Sequence, residues 1–235
     1  MNIAGVIDHT LLKPDATLVD IKQLAEEGRE YGFATVIVHS AFLDIPVKIL
    51  AGVNVRVGTV IDFCFGAAST EQKVCAVEDA IRCGADDLDM VMNITLLKSG
   101  KYGLVEAEIR HVVESARALR SKIRPGGEAI IVKVIIECGL LSDEEKEIAC
   151  RAVVAAGADF VKTSTGYLST GATERDVALM RKVVGPDFGV KASGGIRTLA
   201  QVKAMLAAGA TRIGTSSGIA IIKEWQAGKE AGASV

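Results

Sequence analysis

The chain of 235 residues has little of what several protein classes depend on. It contains 4 prolines, 3 histidines and 1 tryptophan, and aromatic residues make up only 4% of it. Its 27 lysines and arginines nearly balance 29 aspartates and glutamates. Without a basic excess there is no patch of the kind that neutralises nucleic-acid phosphates, and scarce aromatics supply no stacking platform for single strands. We therefore expect no nucleic-acid partner.

Long hydrophobic runs are also missing. The longest stretch without Asp, Glu, Lys or Arg is residues 31–43, well short of the ~18 apolar residues of a membrane-spanning helix. The N-terminus shows no basic region followed by an apolar run, so we predict no secretory signal. The 5 cysteines are scattered without a Cys-x-x-Cys pair, which argues against a disulfide framework or a zinc site. The sequence thus favours a cytoplasmic protein with no membrane partner.

A weak internal repeat indicates the architecture. Similar segments, each a glycine leading into an apolar stretch, begin at Gly32, Gly84, Gly157 and Gly209. Their spacing fits multiples of about 29 residues, which is one eighth of the chain, as in a barrel of eight β/α units. Residues 1–235 are therefore predicted to form a single α/β domain, a (β/α)8 TIM barrel. A doubly wound open sheet is the main competitor, but no glycine-rich nucleotide-binding motif follows any predicted strand.

Eight strands and seven helices account for most of the chain in this interpretation. The predicted strands cover residues 5–9, 35–40, 55–63, 87–93, 130–137, 160–164, 189–193 and 212–216. Helical periodicity covers residues 18–31, 69–83, 104–123, 142–156, 173–184, 199–208 and 218–226, with helix-start signals at Ser142 and Thr173.

Side-chain alternation within the strands predicts which residues face the barrel interior. Apolar residues at Val36, Leu88, Val161 and Ile213 should pack on the outer helices, so that the residue after each points inward. The charged residues predicted to point inward are Asp8, Asp62, Asp89, Lys133, Glu137, Lys162 and Lys191. A self-neutralising salt-bridge network is one explanation, but buried ion pairs are weak sources of stability. A functional site at the C-terminal mouth of the barrel is favoured.

Two lysines are the most informative of these residues. An amine that is desolvated inside a barrel and has a second ammonium nearby has its pKa lowered on both counts. Either Lys162 or Lys191 could then attack a carbonyl carbon and form a Schiff base, with Asp8 and Asp89 as acid/base or orienting partners. Spacing alone leaves open which lysine is the nucleophile. No metal or cofactor is needed, and a site built from His9, His39 and a carboxylate has no supporting spacing.

Small residues follow the last three predicted strands and indicate a phosphate site. These segments are Thr163-Ser164-Thr165-Gly166, Ser193-Gly194-Gly195 and Gly214-Thr215-Ser216-Ser217-Gly218. In barrels of this type, the loops after strands seven and eight often hold a phosphate at a helix N-terminus. Tight βα turns would explain a single such loop equally well.

Taken in order, these motifs resemble the deoxyribose-phosphate aldolase family from Asp8 to about Ser217. The segments that carry the resemblance are Ile7-Asp8-His9-Thr10, Leu88-Asp89-Met90-Val91, Lys133-Val134-Ile135-Ile136-Glu137, Asp159-Phe160-Val161-Lys162-Thr163-Ser164-Thr165-Gly166 and Val190-Lys191-Ala192-Ser193-Gly194-Gly195-Ile196-Arg197.

The resemblance implies a class I aldolase that acts in deoxyribose phosphate catabolism. Such an enzyme interconverts 2-deoxy-D-ribose 5-phosphate with acetaldehyde and D-glyceraldehyde 3-phosphate, without a metal or cofactor. Lys162 matches the Schiff-base lysine and Lys191 the second lysine that lowers its pKa, while Asp89 matches the proton relay and Asp8 the aspartate near the substrate hydroxyl. The positions implied around the phosphate are Gly166, Gly194, Gly195, Gly214, Ser216 and Ser217. The same analogy implies a homodimer.

Three departures from the family pattern stand out. Many members have Cys-Val-Asn-Pro where this chain has Ile37-Val38-His39-Ser40. Some members have a phosphate-contacting lysine where this chain has Tyr167, and some end in a tyrosine, whereas no tyrosine follows Tyr167 here. The resemblance therefore assigns no role to His39 or Tyr167, and no group that protonates the enamine.

Three other functions fit parts of the pattern. Another Schiff-base aldolase or a transaldolase would use the same lysines on a ketose or keto-acid phosphate. A catalytically inactive barrel would only bind a phosphorylated ligand, and a metal-dependent aldolase would lose its activity to a chelator.

Overall fold

Eight parallel strands close into a barrel, as the sequence predicts. The computed structural model describes residues 2–168 and 170–232. Each strand pairs with the next along the chain, and the eighth pairs with the first. The strands are β1 (Ile7–Thr10), β2 (Thr35–Val38), β3 (Arg56–Ile61), β4 (Asp87–Val91), β5 (Ile131–Ile135), β6 (Phe160–Lys162), β7 (Gly189–Ser193) and β8 (Arg212–Thr215). The (β/α)8 TIM-barrel prediction is confirmed.

Helices surround the barrel and connect the strands. The α-helices are α1 (Leu18–Tyr31), α2 (Asp44–Ile49), α3 (Thr70–Arg82), α4 (Ile94–Lys98), α5 (Tyr102–Ile123), α6 (Asp143–Ala155), α7 (Glu174–Val184), α8 (Leu199–Ala207) and α9 (Gly218–Gly232). Short 3-10 turns occupy Ala4–Val6, Ser40–Phe42 and Cys138–Leu140. Within the described part of the chain, no helix combines the length and apolar character that spanning a bilayer requires.

Helix starts follow from local capping chemistry. Ser142 accepts a hydrogen bond from the backbone of Glu145, whose side chain accepts one from the Ser142 backbone, and Thr173 caps α7 by accepting from Asp176. These capping bonds, reciprocal at Ser142 and one-way to the backbone at Thr173, satisfy backbone N–H groups that have no partner within the helix. Both predicted start signals are therefore confirmed. The sequence missed α2 and α4, which are too short to show a helical period.

The two faces of the strands separate as predicted. Val36, Leu88, Val161 and Ile213 are fully buried in the main core between the barrel and the helices. Ile37 instead belongs to a separate small cluster, whose other members are Leu12, Val60 and Phe63. Alternation along the strands thus places the residue after each outward one inside the barrel.

The predicted strands extend past their observed ends at two positions that matter for the site. Asp62 follows β3 with a φ of 51°, and Glu137 comes two residues after β5 with a φ of 44°. A residue with a left-handed backbone departs from the extended geometry of a strand, so alternation no longer determines where its side chain points.

Candidate active site

Five strands carry the charged residues that meet inside the barrel. Lys162 on β6 lies directly opposite Lys191 on β7, and Asp89 on β4 lies opposite Lys133 on β5. Asp8 on β1 completes the group. All five side chains are buried, with Lys162 the most exposed at 4%. The structure therefore brings together five of the seven charged residues that were predicted to point inward.

A network of ion pairs holds this group. The Oδ2 atom of Asp89 accepts hydrogen bonds from the Nζ atoms of Lys162 at 2.7 Å and Lys191 at 2.6 Å. Lys191 also donates to Asp8. The Nζ atom of Lys133 lies 3.2 Å from Oδ1 of Asp89 and 3.4 Å from Oδ2 of Asp8. Each buried charge therefore has an opposite charge beside it, as burial requires.

These surroundings shift the pKa of Lys162 downward. Burial is the main cause, and the positive charges of Lys191 and Lys133 lower the pKa further, while Asp89 opposes the shift. The resulting pKa of Lys162 is about 8. Because a neutral amine is a nucleophile, Lys162 is equipped to attack a carbonyl carbon near neutral pH. The predicted direction of the pKa shift is confirmed for this lysine.

The pKa values of the two aspartates are also lowered, but by the charges around them and not by burial. Burial raises the pKa of a carboxyl group, but at Asp89 the charges of Lys133, Lys162 and Lys191 outweigh it and hold the pKa well below its ordinary value. The pKa of Asp8 is likewise lowered, against the effect of burial, by Lys133, Lys191 and Arg212. Asp89 is thus an ionised hydrogen-bond acceptor beside both amines.

Two of the residues predicted to point inward do not join this group. The Asp62 carboxylate accepts from the Ala68 backbone at 2.8 Å and lies 3.5 Å from Nζ of Lys73, which places it in the loop after β3. The Glu137 carboxylate accepts from the Thr165 backbone at 2.9 Å. The prediction that Asp62 and Glu137 join the inward group is wrong for the same reason at both residues, which is their left-handed backbone.

Charged residues that the sequence reasoning missed extend the network below the lysines. Asp87 accepts from Nζ of Lys133 and from Nε of Arg56, each at 2.5 Å. Arg212 donates to Oδ1 of Asp8 at 2.9 Å and lies over the Phe160 ring. Alternation could have found both, since Asp87 is two residues before Asp89 and Arg212 is two residues before Gly214.

A cavity of about 200 Å³ opens beside Lys162 at the C-terminal end of the strands. Most of the predicted phosphate positions line it, namely Gly166, Gly194, Gly195, Gly214 and Ser216. Lys13 and Arg197 also line it and add two cationic side chains. Ser217 is not among the lining residues, and its backbone N–H donates to Thr215. The cavity therefore joins an amine nucleophile to loops whose backbone can approach an anion.

Close backbone packing explains the glycines of these loops. Gly194 has a φ of 88°, and a Cβ atom there would lie 2.8 Å from Cα of Gly171. A Cβ atom at Gly171 would lie 2.4 Å from the Gly194 carbonyl oxygen. Only glycine fits both the left-handed backbone and this contact between the loops after β6 and β7.

The histidines do not form a metal site. His9 faces away from the lysines and its Nε2 atom lies 2.7 Å from Oε2 of Glu27, while Nε2 of His39 bonds to the Leu12 carbonyl at 2.9 Å. The rings of His39 and Tyr167 both contact Phe63 edge-on, at centroid distances of 6.3 and 5.4 Å. Among the described residues, no group of three or more His, Cys, Asp or Glu could hold a metal ion.

Comparisons with known proteins agree over nearly the whole chain. The model of the DeoC/LacD family aldolases matches residues 3–224. The deoxyribose-phosphate aldolase of Caldanaerobacter subterraneus is 52% identical over 226 residues, covering 96% of this chain and 94% of the relative. That of Bacillus subtilis is 52% identical over 223 residues, covering 95% and 96%.

A solved structure shows the same arrangement of strands and helices. The deoxyribose-phosphate aldolase of Aeropyrum pernix, described as a tetramer, is 31% identical and has a TM-score of 0.85. The match covers 95% of this chain and 90% of that one. The similarity thus extends through the entire barrel rather than through one motif.

Proposed function

The chain belongs to the DeoC/LacD family of aldolases, and we propose that Lys162 is the amine with which it attacks its substrate. It is a class I, Schiff-base aldolase that reversibly cleaves 2-deoxy-D-ribose 5-phosphate into acetaldehyde and D-glyceraldehyde 3-phosphate. The observation that carries the proposal is the position of Lys162, a buried amine with a lowered pKa that opens onto the cavity.

The reaction begins when the neutral Lys162 amine adds to the C1 aldehyde of the open-chain sugar. The resulting carbinolamine takes up a proton on its hydroxyl group and loses water, which gives a positively charged iminium ion. Removal of the proton from the C3 hydroxyl lets the C2–C3 bond break, its electron pair moving to C2 and forming an enamine. Glyceraldehyde 3-phosphate leaves, C2 takes up a proton, and hydrolysis of the new iminium releases acetaldehyde and restores the lysine.

Asp89 and Lys191 support these proton transfers in the proposed mechanism. Asp89 shares one carboxylate oxygen between the two amines, so a proton can pass among the three groups over distances below 3 Å. Lys191 keeps a positive charge beside Lys162, which lowers the pKa of the nucleophile. Asp8 accepts a hydrogen bond from Lys191. By the family resemblance, Asp8 is also the aspartate that lies near a substrate hydroxyl.

The substrate phosphate is proposed to bind at the glycine loops. Backbone N–H groups around Gly166, Gly194, Gly195, Gly214 and Ser216 would meet its oxygens, and α9 begins at Gly218, close behind Ser216 in the chain. Ser217, the sixth position implied by the resemblance, would contribute only if its N–H left Thr215. An anion is stabilised there both by hydrogen bonds and by the positive end of the helix dipole. Arg197 and Lys13 add charge at the rim of the cavity.

Three further proposals concern the whole chain. We assign residues 1–235 to a single catalytic barrel domain. The free thiols at all five cysteines and the phosphorylated substrate support a cytoplasmic location. A homodimer follows from family analogy, although the Aeropyrum pernix relative is a tetramer.

Trapping of the covalent intermediate tests the nucleophile. Borohydride reduction in the presence of acetaldehyde or 2-deoxyribose 5-phosphate should add the adduct mass to the peptide that contains Lys162. Lys162→Met should abolish the adduct, whereas Lys203→Met, on α8, should leave it unchanged. An adduct on Lys191 with Lys162 unmodified would show that Lys191, and not Lys162, is the nucleophile.

A further inference from the structure

Glu137 is a buried acid that has no role in the proposed Schiff-base mechanism. Its exposed fraction is 0%, and its backbone is left-handed, with a φ of 44°. Residues other than glycine rarely adopt such a backbone, and strained residues of this kind concentrate at functional sites. The conformation turns the carboxylate toward the loop after β6, where its Oε2 atom accepts from both the backbone N–H and the hydroxyl of Thr165.

Thr165 connects Glu137 to the cavity. It lies three residues after Lys162, directly precedes Gly166, and lines the cavity together with both of them. Because its hydroxyl proton is donated to Glu137, the Thr165 oxygen is free to accept, and it does so from the Tyr167 backbone N–H at 3.1 Å. One carboxylate oxygen thus fixes the backbone from Thr165 to Tyr167.

The loop needs such an anchor because glycines make it permissive. Gly166 and Gly171 both have a φ of 86°, and glycine loses more conformational freedom on ordering than any other residue. Gly171 also packs directly on Gly194, and the Ala172 backbone donates to the Gly194 carbonyl at 3.1 Å. A shift at Thr165 would therefore move the backbone of two loops that face the phosphate cavity.

The nucleophile is held by different bonds. Lys162 lies within β6, where its carbonyl accepts from Ile136 at 3.0 Å, and the next residue, Thr163, donates to the Lys191 carbonyl at 3.0 Å. These ladder bonds do not involve the Glu137 side chain. Loss of the carboxylate should consequently affect the loop that begins at Thr165 far more than the amine of Lys162.

We propose that Glu137 is a positioning residue for the phosphate end of the substrate, acting through Thr165 on the loop that contains Gly166. It fixes the anion-binding backbone in place and does not take part in the chemistry at the carbonyl carbon. The inference rests on the proposed function, because it assumes that the cavity beside Lys162 binds the phosphate of the sugar.

The experiment compares phosphorylated and unphosphorylated substrate. In Glu137→Ala the Thr165 N–H loses its buried partner, and the KM for 2-deoxyribose 5-phosphate should rise by up to about 100-fold. The kcat/KM for 2-deoxyribose, which has no phosphate, should stay within about threefold of wild type, because ladder bonds rather than Glu137 hold Lys162. Glu137→Gln keeps an oxygen that can accept both bonds and should recover activity to within about fivefold of wild type.

Two further variants complete the design. Thr165→Val removes the hydroxyl that bonds both Glu137 and the Tyr167 backbone, and it should raise the same KM. Its effect should be smaller in a Glu137→Ala background than in wild type, because the bond that the two side chains share is already lost there. Asp86→Asn is the matched control, since it removes a carboxylate that binds Arg120 and Arg124 at the other end of the barrel. It should lower the melting temperature without changing the ratio between the two substrates.

Equal losses on both substrates in Glu137→Ala would overturn the proposal, as would additive effects of Glu137→Ala and Thr165→Val. Binding of inorganic phosphate, measured by calorimetry without turnover, should weaken in Glu137→Ala and persist in Asp86→Asn. Unchanged phosphate binding in Glu137→Ala would also contradict the proposal. If instead wild type binds phosphate but cleaves no deoxyribose phosphate, it is the proposed function that fails.

Discussion

Lys162 and Lys191 lie opposite each other on neighbouring strands, and both ammonium groups donate to the same oxygen of Asp89, at 2.7 and 2.6 Å. One shared oxygen offsets only part of two buried positive charges. The pKa of Lys162 falls to about 8 as a result of burial and of the neighbouring lysines. The pair therefore supplies a neutral amine while a second positive charge stays beside it.

The pH dependence of turnover should report this arrangement. Because only the neutral amine attacks the aldehyde, kcat/KM of the wild type should rise with pH and level off above about 8. Lys191→Met removes a positive charge and leaves Asp89 to act more strongly on Lys162, so the rising limb should move upward by about one pH unit or more. Lys191→Arg keeps the charge and should shift it less. An unchanged limb in Lys191→Met would contradict the role of Lys191.

Lys162 should lower the free energy of unfolding of the protein at neutral pH. The pKa of Lys162 lies below its ordinary value of 10.5, so below about pH 8 the folded state holds an ammonium that the unfolded chain solvates better. Lys162→Met should raise the free energy of unfolding by about 2–3 kcal/mol at pH 7, and the gain should vanish above about pH 10.5. Urea unfolding of both proteins at pH 7 and pH 10.5 measures this. A destabilised Lys162→Met protein at pH 7 would show that the lysine contributes net stability.

The barrel and its lysine pair were predictable because strands obey a strict period of two. Ile37, Asp89 and Lys162 point inward as alternation requires, and the helix starts at Ser142 and Thr173 follow from local capping. Those signals depend only on residues close together in the sequence.

The prediction failed where the backbone leaves the strand. The φ values of 51° at Asp62 and 44° at Glu137 end the alternation. A positive φ is common for glycine but uncommon for aspartate and glutamate, so the residue types did not predict it. The contact of Glu137 with Thr165 joins two strand ends, so it exists only once β5 and β6 have paired. Sequence spacing could not reveal it.

Gly194 should be required for the phosphate and not for the chemistry. In Gly194→Ala the added Cβ would lie 2.8 Å from Gly171, so the two loops must separate. We expect the KM for 2-deoxyribose 5-phosphate to rise about 10- to 100-fold, with a smaller effect on 2-deoxyribose.

Gly52→Ala provides the matched control for this substitution. Gly52 also has a positive φ, of 76°, but no atom lies within 4 Å of its added Cβ. Both variants bear the cost of a left-handed alanine, roughly 1–2 kcal/mol, and only Gly194→Ala adds the clash between loops. If both variants raise the KM equally, backbone strain and not loop contact is the cause.

Asp89→Asn should separate formation of the Schiff base from turnover. The carboxylate raises the pKa of Lys162, so its removal lowers that pKa further and leaves the amine neutral at pH 7. Borohydride should therefore still trap acetaldehyde on Lys162, while kcat falls by roughly 10²- to 10⁴-fold through loss of the proton relay.

Asp87→Asn, two residues away on the same strand, is the matched control. It removes a buried carboxylate that pairs with Lys133 and Arg56 but has no hydrogen bond to Lys162 or Lys191. It should reduce stability by about 3–5 kcal/mol and preserve most of the turnover of the protein that remains folded. Parallel loss of trapping and turnover in Asp89→Asn would mean that the aspartate is needed to form the imine itself.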